Sequence, residues 1–521
     1  MKRSLAVGLP LAFFGYFFAY PVGRILYRGL ADATIIDGFG GVVWFTLWQA
    51  VVSTVLTLVV ALPGTYVASR FEFRGRAFFR AAVTVPFMLP TLVVAMAFLA
   101  LFGPGGATGL RLDGTAAIII AAHVFFNYAV VVRIVGGLWQ HLDPTLGDAA
   151  RALSASPWQA FRRVTLPLLA PALAAASSIV FLFSFTSFGV VLLLGGPGLA
   201  TIEVEIYRQT TAFLNLGAAA TLALVQLVGV TAILFAYSRF QERTAHRMRL
   251  APGTSTARVP TTPGERWLVR LTLASAAVLL GGPLVVLVTK SLRPGGEWSL
   301  SGYAELFETP RALAVPPAEA VANSLLFAGV TVLIAVVIGL SAASVIASRR
   351  LAWFDVLLML PLGTSAVTVG LGFLVALDWP IDLRTSPVLI PIAHSLVAIP
   401  FVVRAAVPVL RSVDQRLREA AANLGAPPAQ VWRTVDLPLV SRAALLGAGL
   451  AAAVSLGEFG ATAFIARPDY PTVPIAIFRL LAIPGSSNLA AAFALSTVLM
   501  ALTTVVIAAL EKARPGVIGG F

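Results

Sequence analysis

The sequence predicts an all-α polytopic membrane protein of about 12 transmembrane helices, arranged as two parallel six-helix halves. Three observations carry that reading. Hydrophobic residues are 58% of the 521 and charged residues only 12%, roughly half the charge of an ordinary soluble domain. Apolar runs of about 20 residues, enough to cross a hydrocarbon core of about 30 Å, recur along the whole chain. A polar stretch between two such runs occurs twice, 271 positions apart.

The runs fall at 8–28, 42–66, 82–102, 115–136, 168–194, 213–237, 268–289, 321–346, 355–376, 387–409, 441–464 and 488–510. Lipid offers backbone N–H and C=O groups no partner, so runs of this length are expected to be helical. The alternating ten-residue pattern of barrel strands is not seen. The first run follows Lys2 and Arg3 without a convincing small-residue cleavage site, so it reads as a retained helix.

The formal charge of +14 would suggest a nucleic-acid surface in a soluble chain. Here the Arg residues lie between apolar runs, which points to membrane orientation and lipid rather than nucleic acid. With the N-terminus, the even-numbered loops and the C-terminus on one side, that side holds 27 of the 37 Lys and Arg residues; the other holds 10. The richer side is expected to be cytoplasmic. Cysteine is absent, which excludes disulfides and thiolate metal sites.

The repeat extends beyond the polar stretch. HVFFNYAVVVRIVGGLWQHLD from His123 matches HSLVAIPFVVRAAVPVLRSVD from His394, and FGVVLLLGGPGLATIEVEIYR from Phe188 matches FGATAFIARPDYPTVPIAIFR from Phe459. Six spans per half leave both halves facing the same way, a parallel duplication about an axis along the membrane normal. The expected organisation is a first half at 1–238, a basic Thr/Pro/Gly-rich cytoplasmic linker at 239–267, and a second half at 268–521. The polar stretch 291–320 is expected on the outer side with a short surface helix.

The repeated elements are DAARALSASPWQAFRRVTLP at 148–167 and EAAANLGAPPAQVWRTVDLP at 419–438. Each opens with helix formers, and Gly425 is placed to close the second copy in a left-handed cap. Ser156 and Pro157 suit the cap and first turn of a second helix. Phe161 and Val164 share one face of it, as do Trp432 and Val435. Each half is thus expected to present a helix–turn–helix knob with an exposed aromatic, either resting on headgroups or docking a two-fold partner.

This pattern resembles the EAA loop of permease subunits in binding-protein-dependent ABC importers. Glu419, Ala420, Ala421, Gly425, Val435, Leu437 and Pro438 fit it, as do Ala149, Ala150, Val164, Leu166 and Pro167. The first copy departs with Asp148 for Glu and Ser154 for Gly, so its turn need not be a left-handed cap. The resemblance implies two ATP-binding cassette subunits, an extracytoplasmic substrate-binding protein, and a bacterial inner membrane. It makes Asp148, Ala149, Ala150, Ser154, Phe161, Glu419, Ala420, Ala421, Gly425 and Trp432 the ATPase-coupling residues.

The chain holds no energy chemistry of its own to read. None of its three lysines, Lys2, Lys290 and Lys512, follows a Gly as a phosphate-binding loop requires. No His pair has metal-protease spacing, and no catalytic constellation, metal site or cofactor is expected. Polar groups inside spans mark pathways or interhelical hydrogen bonds. The candidates are His123 and its repeat mate His394, Asn127, and Glu458 with its mate Ser187. Within the importer group, AHVFFN and SFTSFGVVLLLGG look most like thiamine-type permeases, while SLGEFGA is shared with ferric-iron permeases. A secondary transporter with parallel six-helix repeats remains the reading from another class.

Overall fold

The computed structural model describes residues 3–143, 145–244, 256–349 and 352–512. The helices of the first half are α1 (Val7–Ala31), α2 (Phe39–Arg70), α3 (Arg76–Met88), α4 (Thr91–Phe102), α5 (Ala116–Trp139), α6 (Thr145–Ala152), α7 (Pro157–Phe185), α8 (Gly189–Leu194), α9 (Ile202–Thr211) and α10 (Leu216–Thr244). The second half repeats the order as α11 (Pro263–Leu292), α12 (Pro317–Arg349), α13 (Ala352–Gly363), α14 (Ala366–Ala376), α15 (Leu389–Ser412), α16 (Gln415–Asn423), α17 (Pro428–Gly457), α18 (Thr462–Ile465), α19 (Val473–Ala482) and α20 (Ser486–Lys512). Ten helices are long and apolar enough to cross a membrane, or twelve if each of two bent pairs counts as one span. The all-α polytopic reading holds.

Four expected spans are interrupted. The run 82–102 is the pair α3 and α4, bent by 99° at Leu89–Pro90, and 355–376 is the pair α13 and α14, bent by 90°. Pro90 cannot donate a ladder hydrogen bond and turns Leu89 to extended backbone. The Ser365 hydroxyl accepts the Thr368 N–H at 3.0 Å and starts α14 afresh. The runs 168–194 and 441–464 stop at Phe185 and Gly457, resuming as the short α8 and α18. Hydropathy over a window counts apolar residues and cannot see where they turn.

A second regularity follows from proline. π-helical turns occupy Gly15–Ala19, Phe161–Thr165, Ala277–Gly281 and Trp432–Asp436. Pro21, Pro167, Pro283 and Pro438 follow them closely. A proline ring clashes with the carbonyl four residues earlier; widening that turn by one residue relieves the clash and keeps the helix continuous. The Leu-Pro at the end of each polar element is therefore a wide turn joining it to its span.

Each half is built on three helices, α2 with α5 and α7, and α12 with α15 and α17. The first span of each half crosses over. α1 packs on α12 and α14, and α11 packs on α4 and α20. Without a hydrophobic drive between helices in lipid, small residues set such approaches. Gly339 and Gly447 both face Val402, where α12, α15 and α17 meet. The surface helix expected within 291–320 is the single turn Ser301–Ala304. The helices α10 and α11 reach into the segment read as linker, of which 245–255 lies outside the described residues.

A Cβ at Gly447 would stand 2.8 Å from the Cα of Val402, so the backbones must separate to admit it. Gly447→Ala is expected to cost about 1–3 kcal/mol by overpacking and to lower the melting temperature in detergent. Gly137→Ala, whose Cβ would meet nothing within 4 Å, should be neutral or stabilising by helix propensity. Equal melting of the two variants would refute the close approach.

Candidate functional site

Both polar elements fold as expected helix–turn–helix units, and their turns are the same. In the first, Ser154 N–H donates to Arg151 O at 2.9 Å and Ala155 N–H to Ala150 O at 3.1 Å. In the second, Gly425 N–H donates to Ala422 O and Ala426 N–H to Ala421 O at the same two distances. Ser154 has φ of 65° and Gly425 φ of 83°. The expectation that Ser154 could impose a different turn is corrected: serine takes the left-handed cap, at a cost of roughly 1 kcal/mol that glycine avoids. Ser156 and Gln159 then close a reciprocal capping box on the second helix.

The faces differ from the sequence reading. Phe161 is half-buried against Trp139, and Trp432 packs on the second hydrophobic core, so the matched aromatics point inward. Trp158, stacked on Phe161, is the exposed aromatic of the first copy, at 65%. The outward side carries leucines instead. Leu153 is 85% exposed and Leu424 88%, immediately before the left-handed residue, with Leu146 and Leu417 about two turns earlier, also exposed. Asp148, Ala149, Glu419 and Ala420 share this exposed surface, while Ala150 and Ala421 are half-buried. The leucines were legible in principle, since each matches its mate at the 271 offset.

The two units are fixed differently. Arg418 donates from Nε to Asp436 Oδ1 at 2.8 Å and from Nη2 to Leu410 O at 3.1 Å, tying α16 to the start of α17 and the end of α15. The first copy has Gly147 and Thr165 at those positions. Its carboxylate Asp148 pairs within its own helix to Arg151, and both side chains are exposed. The end of α5 is held instead by Arg70 on Leu142 O and by Arg80 on Gln140 Oε1.

A polar and aromatic centre lies where the four interrupted spans meet. His123 is buried, with Nδ1 3.1 Å from Ser53 Oγ and Nε2 2.8 Å from Ser187 Oγ. His394 repeats the plan, 2.8 Å from both Ser455 Oγ and Thr462 Oγ1, and 3.2 Å from Glu458. Asn127 donates to His123 O. Glu458 sits in the break after α17, where its oxygens accept the N–H groups of Ala461 and Thr462 at 2.8 and 3.1 Å. The helices α9 and α19 are anchored alike: Ile202 N–H donates to Thr46 Oγ1, and Val473 N–H to Ser324 Oγ.

The rings of Phe188 and Phe459, repeat mates, stack at 5.2 Å. Tyr207 and Phe478, also mates, stand 6.2 Å apart. A residue touching its own repeat mate lies beside the axis that relates the halves, so these four rings mark that axis. Nearby, on the face opposite the polar elements, a cavity of about 240 Å³ is lined by Asp382, Arg384, Arg467 and Phe464 among others. The Arg384 guanidinium beside Asp382 holds its carboxyl down at about 2, so the rim stays charged in both signs at neutral pH.

Residues 61–246 and 335–516 each match the family of the binding-protein-dependent transport system inner membrane component. The chain belongs to this family. It is an ABC importer permease in fused two-half form, and the secondary-transporter reading falls away. The thiamine transport system permease protein of Escherichia coli (strain K12) is 25% identical to it over 462 residues, 84% of this chain and 83% of that protein. A probable ABC transporter permease protein of Sinorhizobium fredii (strain NBRC 101917 / NGR234) is 24% identical over 507 residues, 91% and 87% of the two chains. Among solved structures, a bacterial ABC transporter involved in import of the acidic polysaccharide alginate matches with 16% identity and a TM-score of 0.40, over 45% of the permease and 93% of that chain.

The turn geometry makes a paired prediction. Ser154→Gly should relieve about 1 kcal/mol of left-handed strain and slow amide hydrogen exchange across 150–156. Gly425→Val should speed exchange across 421–427, because a β-branched residue is disfavoured at positive φ. Unchanged exchange in both would contradict the shared left-handed cap.

Proposed function

We propose that this permease imports thiamine or its phosphates. One copy would assemble with two ATP-binding subunits and one extracytoplasmic binding protein, both termini in the cytoplasm of a bacterial inner membrane. The observation that carries the substrate is the likeness to thiamine transport permeases across both halves, 84% of the chain. The exposed leucine surfaces of α6 and α16 suit two identical clefts, one on each ATPase, and the wide π turns join each surface to a span. His123, Asn127, Ser187, His394 and Glu458 are assigned to holding the breaks of the pathway in a fixed geometry, since they bond to one another, to backbone and to the hydroxyls of Ser53, Ser455 and Thr462.

Uptake of labelled thiamine into liposomes holding the complete ATP-loaded complex tests the substrate. Uptake that requires the thiamine-loaded binding protein supports it; transport of ferric iron instead overturns it. Native mass measurement is expected to give one permease chain with two ATP-binding subunits, and two copies of this chain would refute the fused-dimer assembly.

Leu153→Asp and Leu424→Asp place a charge at the centre of each docking surface. Each is expected to cost about 2 kcal/mol or more of ATPase binding, read as loss of subunit co-purification with the permease still inserted. The second should be the more damaging for transport, because Arg418 makes α16 move with its spans.

A further inference from the structure

We infer that the four rings on the axis, Phe188, Tyr207, Phe459 and Phe478, are the closed gate of the permeation path, and that Glu203 completes there a site for a heteroaromatic cation. This rests on the thiamine reading for its ligand, not for its gate. A path between halves related by an axis along the membrane normal runs on that axis. The rings close it: Phe188 stacks on Phe459 at 5.2 Å, Tyr207 meets Phe188 edge-on at 5.5 Å, and Phe459 meets Phe478 at 5.5 Å. Phe464, in the wall of the cavity on the opposite face from α6 and α16, touches Tyr207 at 5.6 Å. Phe464 is thus shared by the cavity wall and the ring cluster.

Glu203 lies one helical turn before Tyr207 on the same face of α9. It is fully buried, and nothing in the coupling machinery uses it. Both its oxygens accept hydrogen bonds, from Gln226 Nε2 and, at 3.0 Å, from Ser365 Oγ of the other half, at the bend before α14. Gln226 is ten residues into α10, about 15 Å along its axis. The carboxyl group is therefore deep, and it spans the two halves that must part for transport. Gln226 Oε1 is buried beside it with no hydrogen-bond partner among the described residues. When the halves separate, Ser365 leaves the carboxyl group, and aromatic faces with an acidic group suit a flat cation. The repeat mate of Glu203 is Pro474, so this carboxyl group has no counterpart across the axis.

Two readouts in liposomes separate gate from ligand. Phe188→Ala with Phe459→Ala is expected to leak tetramethylammonium without ATP, roughly ten-fold above the unaltered complex. Phe188→Leu, which fills the same space, should stay tight and serves as the folding control. Glu203→Gln, the same size, should melt as the parent does and lose thiamine transport about ten-fold or more. A tight double-alanine complex overturns the gate, and full transport by Glu203→Gln overturns the cation site. If the unaltered complex carries no thiamine, the substrate reading fails, while the tetramethylammonium leak still decides the gate.

Discussion

A helix interrupted inside a membrane leaves backbone donors that no water can reach. At the centre of this permease, four helix starts are met by a particular side chain. The oxygens of Glu458 take the first N–H groups of α18, and Ser365 takes one at the start of α14. The hydroxyls of Thr46 and Ser324 take the first N–H of α9 and of α19. Once these groups are met, helices can begin and end at depth. Their ends then converge on the axis, and the six-helix halves meet through loops and rings rather than through continuous rods.

The duplication explains the shape and also shows where the halves have parted. Repeat mates keep a buried histidine with a hydroxyl at each ring nitrogen, His123 and His394, though from different positions, and the same left-handed turns at Ser154 and Gly425. They differ in charge. Glu458 faces Ser187 across the repeat, Glu203 faces Pro474, and the Arg418–Asp436 tie faces Gly147 and Thr165. A fused chain frees each half to specialise without disturbing the other, something two copies of one gene product could not do.

The spans, the repeat and the helix–turn–helix form of the polar elements were legible because they are properties of composition and spacing. The bends at Leu89–Pro90 and before Ser365 were not, since apolar count is blind to direction. Glu203 escaped notice because α9 is too short to register as a span, so its ten residues read as a loop between spans. Phe161 and Trp432 share a face with their neighbours by helical spacing, but spacing does not say whether that face meets the core or the partner. Ser154 was misjudged for a different reason: six residues of identical hydrogen bonding around it over-determine a conformation that serine alone disfavours.

The wide turns before Pro167 and Pro438 have one more consequence. Each inserts a residue into an otherwise regular helix, and one residue is about 100° of rotation. The stripe that α7 or α17 shows its neighbours beyond the wide turn is out of phase with the stripe shown before it. One uninterrupted rod can thus address two unrelated environments, one at its polar end and another along its span. Displacing the surplus residue along the rod would exchange these phases, turning a push at the end into a twist within the bilayer.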